Sequence, residues 1–147
     1  MVTQDNASII SGVLHDNWTL TGPAVGDVLW ATTRVDAAAF LSSGKNYAVG
    51  CYNPTSPTQV APLSREVWQQ VERVMVDVYV KVVTTQAAAT GIREDMKTEI
   101  YRILHTQELK ISGVKDVYVE RESSKVEGPD LVRLTLQVAC VNFHVQQ

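Results

Sequence analysis

The segment Val71–Val83 reads VERVMVDVYVKVV, and few sequences constrain a fold more tightly than this alternation. Val74, Val76, Val78, Val80 and Val82 fall on one face of an extended chain, while Met75, Asp77, Tyr79 and Lys81 fall on the other. Branching at Cβ suits a pleated surface and disfavours a helix, so the segment is a long strand with one buried face. Leu131–Val145 repeats the pattern, with Val132, Leu134, Leu136, Val138 and Cys140 facing one way and Arg133, Thr135 and Gln137 the other. Between them, Gly113–Glu122 carries Val117 and Val119 on one side and Tyr118 on the other. A polar stretch, Ser123–Asp130 with Gly128-Pro129-Asp130, reads as the turn joining the last two strands into an antiparallel hairpin.

Two segments change period. Ile9, Ile10, Val13, Leu14 and Trp18 recur at three- and four-residue steps within Asp5–Trp18, giving a helix that Asp5 or Asn6 can cap. Ile92, Met96, Ile100, Ile103 and Leu104 form a second apolar stripe on a helix from about Ala87 to His105. Thr21-Gly22-Pro23 breaks the chain after the first helix, and Asp27–Val35 reads as a strand. Asp36–Gly44 fits one or two helical turns ending at the glycine, and Asn46–Tyr52 a short strand. Pro54, Pro57 and Pro62 remove backbone donors between Asn53 and Ser64, so a long Pro-rich loop is expected at about 53–66. Loops of this length inside a compact domain are often functional. The expected architecture is a single α+β domain over residues 1–147, an antiparallel-rich β-sheet with two main helices packed on its apolar face. Met75–Val83 and Ala139–Phe143 carry few charges on either face, so the sheet should be covered on both sides there.

Charge narrows the function classes. Thirteen Lys and Arg stand against 16 Asp and Glu, a net charge of -3 that gives no general attraction to phosphate backbones or anionic lipid. No apolar run approaches the roughly 20 residues of a membrane helix, and Met1–Asn6 lacks the features of a signal peptide. Cys51 and Cys140 lie in apolar stretches without metal-ligand spacing and read as reduced core residues.

Catalytic and cofactor patterns are missing from the sequence. There is no glycine-rich phosphate loop and no Gly-x-Ser-x-Gly elbow. His15, His105 and His144 have no second ligand at helical spacing, so no metal or other cofactor is expected. Glu94-Asp95 complements the amino end of a helix, and Glu120 and Glu122 are expected on one face of a strand, suited to a wet surface or a charged partner. Tyr52, Trp30 and Trp68 flank the Pro-rich loop near Arg65 and Arg73, a composition favoured at protein interfaces, although buried tryptophans explain the same residues.

The order of elements resembles the tail-terminator and tail-completion proteins of long-tailed bacteriophages. The resemblance is carried by the capped first helix, the Pro-rich loop leading into Trp68 and the Val71–Val83 strand, the Ile92–Leu104 helix, Ile111-Ser-Gly-Val114, and the terminal Leu131-Val-Arg-Leu-Thr-Leu strand. It is broadest from Trp68 to Phe143 and rests on layout, since the family has no short signature to match residue by residue. It implies a non-enzymatic virion protein, assembled in the host cytoplasm, that forms a homohexameric ring. Such a ring caps the tail tube, meets the head-tail connector proteins, and touches DNA only as it passes through the lumen. On this reading the Asn53–Arg65 loop and the Ser123–Asp130 turn project toward neighbours, making Tyr52, Val60, Leu63, Arg65, Trp68, Lys125 and Glu127 the interface candidates. Two alternatives stand beside it: a head-completion or neck adaptor of the same virion region, and a cytosolic ligand-binding or enzymatic domain in which folding gathers Cys51, His105 and Asp77.

Overall fold

Backbone pairing follows the alternation read from the sequence. The computed structural model describes the backbone of residues 6–54, 59–62, 67–107, 116–126 and 129–145, and the side chains of 6–54, 71–106, 116–125 and 129–141. Helix α1 (Asn6–Asp16) leads through a short 3-10 turn (Val25–Asp27) to β1 (Val28–Ala31), α2 (Ala37–Leu41) and β2 (Tyr47–Tyr52). Strands β3 (Gln59–Pro62) and β4 (Val67–Lys81) follow, then α3 (Gln86–Gln107) and the hairpin β5 (Asp116–Val126) and β6 (Leu131–Val145). The strands form one sheet in the order β1-β2-β4-β6-β5, and β3 joins β4 in line with β2. Among the described strands β1 and β2 run parallel and the other pairs are antiparallel, with β4 and β6 in register from Val67↔Val145 to Lys81↔Leu131. The protein is α+β, as the sequence implies.

The valine face is the core. Val74, Val76, Val78 and Val80 are fully buried together with Leu134, Leu136 and Val138 beneath Ile10 and Leu14 of α1 and Met96, Ile100 and Ile103 of α3. Asp36 caps α2 by accepting from the Ala38 amide at 3.2 Å, and Gly44 ends that region at a φ of +84°. Asn6 is the first described helical residue and donates to Glu72 on β4 instead of capping, while Asp5 lies outside the described residues. Helix α2 covers one corner of the opposite sheet face, where Val35 and Phe40 bury Ala48, Tyr79 and Leu131.

Several expected boundaries move. The Pro-rich segment is not irregular throughout: β3 forms at Gln59–Pro62 and pairs Gln59↔Val71 through Pro62↔Trp68. Pro54 precedes that strand and Pro62 is its last residue, so neither breaks an interior ladder, and Pro57 lies outside the described residues. Pairing with β3 and β6 also starts β4 at Val67, four positions before the valine run. The expected strand Asp27–Val35 is only Val28–Ala31, because the chain leaves the sheet to cross its open face. The supposed turn region from Ser123 is strand as far as Val126, its polar residues being the exposed side chains of a paired strand, while residues 127–128 lie outside the described residues.

Candidate partner interface

Opposite the helices, the sheet presents a half-buried polar surface across β2, β4, β6 and β5. Strand alternation determines its membership: Tyr52 pairs with Met75, Asp77 with Thr135, Arg73 with Ala139, and Lys125 with Arg133. Asp77 is fully buried yet accepts from Thr135 Oγ1 at 2.8 Å and lies 3.4 Å from Arg133 Nη2. The Arg133 guanidinium also sits over the Tyr79 ring, 5.6 Å from its centroid. Burial and then the Asp77 charge raise the Tyr52 phenol above its ordinary range, while Arg34 and Arg133 oppose the shift. A buried carboxylate supported in this way ties β4 to β6 without exposing its charge.

Further along the face, Arg73 Nε donates to Glu120 Oε2 at 2.9 Å and Gln137 Nε2 to the same oxygen at 2.7 Å. The Arg73 bond, assisted by Gln137 and opposed by burial, holds the Glu120 carboxyl below the usual carboxylate range. Glu120 and Glu122 do not share a face, contrary to the simple alternation. The β5–β6 register shifts between Val119↔Val138 and Arg121↔Gln137, so Glu120 is the extra residue of a bulge and keeps to the open face. Glu122 is turned toward α3, where it accepts from Tyr101 at 2.8 Å and lies 3.6 Å from Lys97. Tyr118, 45% exposed, continues the open face across Ala139 from Arg73.

Of the expected interface residues, the fold places Tyr52 and Lys125 on this one face, half-buried and exposed respectively. Val60 and Trp68 lie on paired strands, opposite Gln70 and Pro62, and their side chains are outside the described residues. Leu63, Arg65 and Glu127 lie outside them as well. Trp30 belongs to the helix side: it meets Trp18 edge-on at 5.3 Å and His15 at 5.5 Å, and its Nε1 donates to the Val25 carbonyl at 3.0 Å. The grouping Cys51, His105 and Asp77 does not form. Cys51 faces the α1–α3 core, Asp77 the opposite face, and His105 is exposed in the last turn of α3.

Sequence reading missed the Arg73–Glu120–Gln137 and Asp77–Thr135–Arg133 clusters, although charged residues alternating with valine on a long strand were their signal. Among the described residues, no three His, Cys, Asp or Glu side chains are close enough to hold a metal ion. No helix there is long and apolar enough to cross a membrane.

Comparison with known proteins gives a likeness of fold. No protein-family model matches the chain, and no curated protein matches it in sequence. A chain of the virion of a native gene transfer agent (GTA) particle superimposes with a TM-score of 0.52 at 12% identity, covering 97% of this chain and 95% of that one.

Proposed function

We propose that this chain is a structural protein of a phage-like virion, specifically the subunit of a tail-terminator or tail-completion ring. That ring caps the tail tube, joins it to the head connector and lets DNA pass through its lumen. The observation that carries this reading is the fold shared with a virion chain over nearly the full length of both partners. Element order in the sequence, which resembles the tail-terminator family, supports the finer assignment.

The sheet itself supports contacts made through faces. Its terminal strands are both poor templates for open-ended pairing: β1 has four residues, and β5 is bulged at Glu120 and bears Arg121, Glu122 and Lys125. Closed rings need two unlike surfaces on each copy, and the polar face with Tyr52, Tyr118, Met75, Arg73 and Lys125 is one surface suited to a neighbour. The Val60, Leu63, Arg65 and Trp68 segment and Glu127 complete the proposed contact set.

Light scattering at several concentrations, followed by negative-stain imaging, tests the reading. The expected result is a ring with a mass near six times 16.2 kDa, formed alone or on purified tail tubes. Rings that bind the head connector but not tubes would reassign the chain to the neck. A monomer that stays monomeric with both would overturn the proposal.

A further inference from the structure

We draw no further inference here: the strongest candidate, the open sheet face that runs from the exposed Tyr118 of β5 to the strap of residues 33–35 over Gly50, pairs Arg73 with Glu120 and Arg133 with Asp77 within itself, and nothing in the structure shows what covers it.

Discussion

Replacing Glu99 with glutamine deletes one negative charge from the joint between the two main helices while nearly preserving volume. The Glu99 side chain is 3% exposed. Its Oε2 accepts from the Thr19 amide at 2.8 Å and the Thr19 hydroxyl at 2.7 Å, and its Oε1 from Arg102 Nε at 2.5 Å. Arg102 in turn donates to the Asn17 carbonyl at 2.9 Å, so the segment after α1 is fastened to α3 through one carboxylate. Hydrogen bonds to a charged partner contribute about 1.5–3 kcal/mol each. Glutamine keeps an acceptor for Thr19 but turns an N–H toward the guanidinium, and the 43% exposure of Arg102 screens the pair, so the loss is expected at about 2–3 kcal/mol.

For a domain of this size that corresponds to about 5–10 °C in Tm. Acid makes the test sharper. Burial pushes the Glu99 carboxyl up, but the bonds from Arg102 and Thr19 outweigh it and hold the group below its ordinary value. Its stabilisation is therefore complete above the unfolded value of about 4.3 and is lost as pH falls through the lower folded value. Glutamine takes up no proton, so the gap between variant and wild type should narrow as pH falls below about 4.3. Urea unfolding at one protein concentration, followed by circular dichroism at pH 7 and at pH 3, measures both. A variant within about 0.5 kcal/mol of wild type at pH 7, or a gap as large at pH 3 as at pH 7, refutes the reasoning.

Burial raises both the Cys51 and the Cys140 thiol to about 12, so neither should react with an aromatic disulfide reagent at pH 8 until urea unfolds the chain; rapid labelling of the native protein would contradict this. Adding a methyl group at Gly50 sets it 2.5 Å from Val35 Cγ2 and 3.2 Å from the Thr33 carbonyl. Gly50→Ala should therefore cost about 1–3 kcal/mol in thermal unfolding. Pairing it with Val35→Ala should recover part of that loss, and an unchanged Tm in the single variant would show that the strap yields freely.

Much of the architecture was legible because period and composition agree locally. Valines at every second position need a sheet with one dry face, and Ile92, Met96, Ile100 and Ile103 need a helix that lies on it. Boundaries were less legible, since hydrogen bonding decides them between segments distant in sequence. Ser123–Val126 looks like a turn until β6 pairs with it, and Gln59–Pro62 becomes a strand because β4 lies alongside. The candidate interface was legible only in part: Tyr52 and Lys125 reach one face, and Trp30 leaves it for the α1 side.

By itself, the sequence determined the α+β class, the buried valine face, the two helices that cover it and the burial of both cysteines, all consequences of where apolar side chains recur along the chain. Only the tertiary structure decided which polar residues meet on the opposite face. One extra residue in β5 separates Glu120 from Glu122, and a strap crossing Gly50 sets Arg34 and Arg133 on opposite walls of one cleft. Register and crossing depend on the pairing of strands far apart in sequence, and local periodicity carries no record of that pairing.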